Sequence, residues 1–227
     1  MGLIQKLLLS ISDSLSEDFL QSRKIEAFIR KESSVLFRQI EEKGLENYPE
    51  TDKEKIVHIC YLLPQLGIEL ALTGLQEDGL MATSLEESNA WRAALEDGRV
   101  IHKGILQFQS ARMLLSMLES AHAESAFIDE NMELLLRHVE IKRENALLQY
   151  SETVSATERW EERCAYVQLF SRYANLKKDW RFLNAALKLT EWLWKEYRQP
   201  FSNLPSISLL SALVEQEFAL REMIQLC

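Results

Sequence analysis

Four residues carry side chains suited to binding a ligand or moving a proton: His102, Gln109, Arg112 and Arg143. Three of them interrupt apolar patterns where packing alone would place apolar groups, the usual mark of a functional departure. Read as a helix, the stretch around His102 lines up Trp91, Leu95, Gly98, His102, Ile105, Gln109, Met113 and Ser116 on one face. A small-ligand pocket between helices is often built this way, mainly apolar with a few orienting polar groups. In that setting His102 is the candidate acid-base or hydrogen-bonding group. Arg143 sits in the middle of the face Met132, Leu135, Leu136, Val139, Ala146, Leu147 and Tyr150. A guanidinium so placed needs a carboxylate or an anionic ligand, because burying an unpaired charge costs several kcal/mol. Pairing with one of the chain's own acids, or a packed stem with a solvated head, is the plainer reading of the same pattern.

Metal and cofactor chemistry finds little footing. Glu119-x-x-His122 resembles the helical element of di-iron bundles, but those place it on two helices and it occurs once here. His138 and Glu140 do not supply a second copy, since residues two apart point to different sides of a helix. Cys60, Cys164 and Cys227 are far apart and odd in number, which reads as reduced thiols rather than zinc ligands or disulfides. No phosphate-binding Gly-rich loop, nucleophile elbow or His-Glu-x-x-His motif is present. The sequence therefore assigns no catalytic residue, no metal ligand and no cofactor, and leaves open whether the chain is an enzyme.

The elements that would position these residues are helices. Among 227 residues there are only seven glycines and four prolines, too few for the turns of a β-sandwich or barrel. Ser or Thr followed three residues later by Glu can satisfy orphan amides at a helix start. Four such pairs precede helical periodicity: Ser14 with Glu17, Thr51 with Glu54, Ser84 with Glu87, and Ser155 with Glu158. The first helix is expected to run to about Lys43, with Gly44 ending it in the left-handed conformation. Pro64 should break the stretch from Ile56 to Leu75. A helix from Leu85 to His122, bending at Gly98 or Gly104, one from about Glu130 to Tyr150, and one from Ala156 to Asn175 follow. Asp179 caps a helix from Trp180 to Arg198, and the last helix spans Ile207 to Leu226. Short loops make successive helices antiparallel neighbours. The expected fold is one all-α domain, residues 1–227, of about eight helices in antiparallel hairpins, as an array or bundle.

Composition narrows the setting. With 47% hydrophobic and 27% charged residues the chain has the balance of a globular protein. A formal charge of −9, without a stripe of Lys or Arg, disfavours nucleic acid. No apolar run is long enough to span a bilayer. Residues 1–13 read as a short amphipathic helix, in which Leu3, Ile4, Leu7, Leu8 and Ile11 would give weak membrane association. A cytoplasmic location is the expectation.

Tyr166, Leu169 and Tyr173 match the aromatic, leucine and tyrosine positions of a tetratricopeptide first helix, within a helix-turn-helix over residues 164–197. This segment resembles a degenerate tetratricopeptide unit. It departs from the pattern at Phe170 and Phe182, which stand where small residues let the two helices approach, and the 34-residue period does not recur. The string Asp179-Trp-Arg-Phe-Leu-Asn-Ala-Ala-Leu-Lys-Leu189 is also similar to uncharacterised bacterial all-helical proteins, which implies no activity. In the second helix Phe182, Ala185, Ala186, Leu189, Leu193 and Tyr197 share a face, with Trp192 and Trp194 on its flanks. So broad an apolar sector predicts a helix wedged between neighbours. The functional expectation is an interaction or accessory protein that binds a protein partner through an inter-helix groove. The alternative is an enzyme or small-ligand binder with a pocket near His102, Gln109 and Arg143.

Overall fold

A computed structural model describes residues 22–68, 100–102, 105–106, 110–119, 125–141, 155–198 and 206–225. The fold is all-α. Among the described residues seven helices occur: α1 (Ser22–Lys43), α2 (Glu50–Leu62), α3 (Ser110–Glu119), α4 (Ser125–Ile141), α5 (Ala156–Lys177), α6 (Trp180–Tyr197) and α7 (Ser206–Gln225). None of the described helices is long and apolar enough to cross a membrane.

Several boundaries follow the local chemistry. Ser155 and Glu158 form a complete capping box: Glu158 N donates to Ser155 Oγ at 3.2 Å and Ser155 N to Glu158 Oε2 at 2.9 Å. Asp179 caps α6 by accepting from Arg181 N at 2.9 Å. Pro64 breaks the chain as expected. Helix α2 stops at Leu62, a single 3-10 turn runs from Pro64 to Leu66, and Gly67 closes it with φ 66° and ψ 28°.

Three expectations are corrected. Thr51 and Glu54 lie inside α2 rather than at its cap. Pro49, which has no amide hydrogen to satisfy, holds the N-cap in extended geometry, and its carbonyl accepts from Asp52 and Lys53 at 2.9 Å each. Gly44 ends α1 with the positive φ expected of it, 81°, but its ψ of 144° lies outside the left-handed helical well. The helix expected over residues 85–122 is not continuous. Ile101–His102 (β1) pairs antiparallel with Ile105–Leu106 (β2), and α3 begins only at Ser110. The β-branched residues Val100, Ile101 and Ile105, the last paired with His102, favour extended pairing. The Val100 amide donates to Asn131 Oδ1 of α4 at 2.9 Å instead of to a helical carbonyl. His102 therefore belongs to a strand, and the helical stripe drawn through it does not exist. The capping pairs at Ser14 and Ser84, the amphipathic segment 1–13 and the end of the 130–150 helix lie outside the described residues.

Helices α5, α6 and α7 form an up-down-up layer whose directions can be read from side-chain pairs. Trp160 stacks on Tyr197 at 6.1 Å, Arg163 Nη1 meets Glu196 Oε2 at 2.5 Å, and Phe170 stacks on Phe182 at 6.0 Å. Rising numbers on α5 thus meet falling numbers on α6, which makes them antiparallel. Across α5 and α7, Gln168 reaches Ser211 and Arg172 reaches Glu215, both at a separation of 43 residues. A constant separation means parallel helices in fixed register. Helix α7 is buried at every position from Ser208 to Gln216, because α1, α2, α5 and α6 all pack against it. The wedged character expected of α6 also holds: Phe182, Leu183, Ala185, Ala186, Leu189 and Leu193 are buried. Phe28 of α1 adds edge-on contacts to Trp194 and Tyr197 at 4.9 and 5.6 Å.

Phe182 is enclosed by Phe170 and by Tyr173, whose ring lies 4.6 Å away edge-on. Phe182→Ala should destabilise the protein by about 3–5 kcal/mol through lost burial and a residual cavity, read as a lowered urea midpoint. Ser155→Ala should cost about 1 kcal/mol by removing the cap.

Candidate functional site

Three of the four polar side chains that α7 buries share one face, Ser208, Ser211 and Glu215, at helical spacing; the fourth, Gln216, accepts from Thr190 of α6. Opposite them α5 presents Glu161, Gln168 and Arg172, and α2 presents Lys55 and His58. The result is a polar seam where three helices meet. At its first end Lys55 Nζ contacts Asp52 Oδ1 and Ser208 Oγ at 3.0 Å each and Glu161 Oε1 at 3.5 Å. Midway, Gln168 Nε2 donates to Ser211 Oγ at 2.5 Å.

Glu215 closes the other end. It is only 4% exposed, His58 Nε2 lies 2.5 Å from its Oε2, and Arg172 Nη2 donates to the same oxygen at 2.9 Å. Arg172 Nη2 is also 3.2 Å from His58 Nε2. A carboxylate can only accept, so His58 carries its proton on Nε2 in this contact, and two donors are gathered on one acceptor. Burial by itself would raise the Glu215 pKa. The charge of Arg172 and the hydrogen bond from His58 outweigh it and hold the carboxyl down at about 2.

A second buried carboxyl behaves oppositely. Glu162 of α5, 1% exposed, accepts from the Ala111 amide in the first turn of α3 at 3.0 Å. Burial pushes its pKa up to about 7, against the opposing pull of that amide and of the Arg112 charge. Its neighbours complete the junction: Ser110 Oγ bonds Tyr166 Oη, and Arg112 Nη2 pairs with Glu161 Oε2 at 2.5 Å. Glu161 links the junction to the seam, because its other oxygen faces Lys55.

Of the four sequence candidates, Arg112 is the one whose side chain is described, and its guanidinium is engaged with Glu161. His102 is placed by its backbone in β1. Gln109 and Arg143 lie outside the described residues, as does His122. The Cys60 thiol is pushed up to about 11 by burial, which keeps it protonated at neutral pH and weakly nucleophilic. Among the described residues no three His, Cys, Asp or Glu side chains are grouped as a metal site.

The sequence reading missed Glu162, Glu215 and their partners. A signal for Glu215 was present: Ser208, Ser211 and Glu215 put a polar face on the last helix opposite its Glu217 and Arg221. For Glu162 no local signal exists, since its surroundings come from α3, 51 residues earlier.

Comparison with known proteins finds no matching family model, curated protein or solved structure. Function is therefore argued from the geometry.

Glu215→Ala should cost about 2–4 kcal/mol, because it leaves the partly buried Arg172 guanidinium and His58 without their carboxylate. The pH dependence has a definite sign. With its folded pKa below the ordinary 4.5, Glu215 contributes stability above pH 4.5 that is lost as pH falls toward 2. Urea titrations between pH 5 and pH 2 should show the wild type losing up to about 3 kcal/mol that Glu215→Gln does not lose.

Proposed function

We propose that this chain is an interaction or accessory protein that binds a protein partner through a groove between its helices. The observation that carries the reading is the fixed parallel register of α5 and α7 across the antiparallel α6. Stacking helical hairpins in this way builds extended surfaces whose shape is set by the packing behind them. The resemblance of residues 164–197 to a tetratricopeptide unit points the same way, with α7 standing where the first helix of a following unit would stack. Phe170 and Phe182 then replace small residues at the closest approach, so the hairpin is spaced by stacked rings.

Two further features support it. The polar side chains of the seam are engaged with one another, and Arg112 is held by Glu161, which favours interaction over small-ligand chemistry near that residue. Large apolar side chains stand out on the surface: Tyr61 of α2 is 47% exposed and Leu176 of α5 is 60% exposed. Scattered exposed apolar residues are common, so these two are the positions to test rather than a delimited patch.

The full chain purified from its native host should carry a stoichiometric protein partner, identified by cross-linking and mass spectrometry. Tyr61→Asp or Leu176→Asp should remove that partner while changing stability by no more than about 0.5 kcal/mol. A monomer carrying a bound small molecule would contradict this reading.

A further inference from the structure

The junction of α3 with α5 does something its helix count does not require: it places a carboxyl inside the contact instead of an apolar group. All three residues that open α3 are held by one stretch of α5, through Ser110 with Tyr166, the Ala111 amide with Glu162, and Arg112 with Glu161. Glu162 is the buried carboxyl of that set, 1% exposed, and its neighbour Arg112 is already paired. We propose that the docking of α3 on α5 is a proton-linked clasp, closed when Glu162 is protonated and loosened when that proton is lost to solvent.

The neutral carboxyl can sit in the contact and still accept from Ala111 through its carbonyl oxygen. The charged form is favoured by the amide and by the positive end of α3, each worth about 1 kcal/mol or so. Against this stands the cost of keeping a carboxylate out of water, which is several kcal/mol unless it is well paired. Arg112, the described cation whose charge acts on it, gives its guanidinium to Glu161 at 2.5 Å. Among the described residues, the charges facing this part of α5 from the packed elements are engaged. From α2, Lys55 is shared by Asp52, Ser208 and Glu161. From α6, Glu196 pairs with Arg163 at 2.5 Å. From α7, Ser208 faces the seam, and Glu215 is three turns away on Arg172 and His58. Helix α4 reaches α5 only near its far end, where Asp129 meets Tyr173 and Lys177 at 2.7 and 2.9 Å. When α3 lifts off, Glu162 meets water and ionises freely, so each rise in pH favours the open state.

Amide hydrogen exchange of the full chain between pH 5.5 and pH 8, corrected for intrinsic rates, tests this. With a docked value of about 7 and an exposed value of 4.5, protection over Ser110–Glu119 should fall roughly 25-fold across that range. Protection over Leu183–Leu193 of α6 should stay constant. Glu162→Gln keeps an acceptor for the Ala111 amide and cannot ionise, so its α3 protection should be flat. A flat wild-type profile over α3 would overturn the clasp, and so would an equal fall in α6, which would mean global unfolding. Retention of the wild-type slope in Glu162→Gln would assign the titration to another group and overturn it as well. The wild-type measurement decides even if the variant fails to fold.

Discussion

A charged carboxylate in the middle of a helix that neighbours cover on all sides must be met by donors, or the helix cannot be there. Glu215 imposes that constraint on the fold. Helix α7 is buried from Ser208 to Gln216, so Glu215 has no route to water and takes its donors from Arg172 on α5 and His58 on α2. Satisfying it fixes the axial position of three helices at once. A slide of one residue along α7 would move each partner by about 1.5 Å and turn it by about 100°. The rest of the seam follows in register, with Gln168 on Ser211 and Lys55 on Ser208. Apolar packing supplies most of the driving force for association, but it is non-directional, and the polar seam selects one alignment from those it allows.

The contact of α5 with α6 is fixed by different means. No buried ion pair sets it; the ring pairs Trp160 with Tyr197 and Phe170 with Phe182 do, and Tyr173 meets Phe182 edge-on. Ala185 and Ala186 lie on the same buried face of α6 and leave room for these rings and for the neighbouring helix. Such contacts resist changes in volume more than changes in pH. The layer therefore joins two kinds of interface, one sensitive to proton concentration and one indifferent to it.

Much of this architecture was legible in the sequence, where the physics is local. The capping box at Ser155, the cap at Asp179, the break at Pro64 and the apolar sector of α6 depend on residues within one or two turns, and each was readable. Thr51 failed because a second local device, Pro49, competes for the same helix start. The helix drawn through His102 failed because apolar spacing alone does not distinguish a helix from the short β-branched pairing that tertiary contact with Asn131 supports. The site was less legible than the fold. Arg112 was singled out, yet its role depends on Glu161, 49 residues away. Nothing in the string Glu161-Glu162-Arg163 sets Glu162 apart; its burial comes from the packing of α3, whose Ala111 amide donates to it.

The contacts of α2 and of the 3-10 turn after it with α7 span 153 residues at Lys55 and Ser208 and 155 at Leu66 and Arg221. They carry a kinetic consequence. At 5–20 residues per second, a ribosome needs roughly 8 to 30 s to travel between the two. Throughout that time α1 and α2 have made their apolar faces without the helix that covers them, and His58 lacks the Glu215 carboxylate. Closing so long a loop is also entropically slow. The nascent chain therefore carries α1 and α2 without that cover until α7 emerges, the interval in which a holding chaperone would find them.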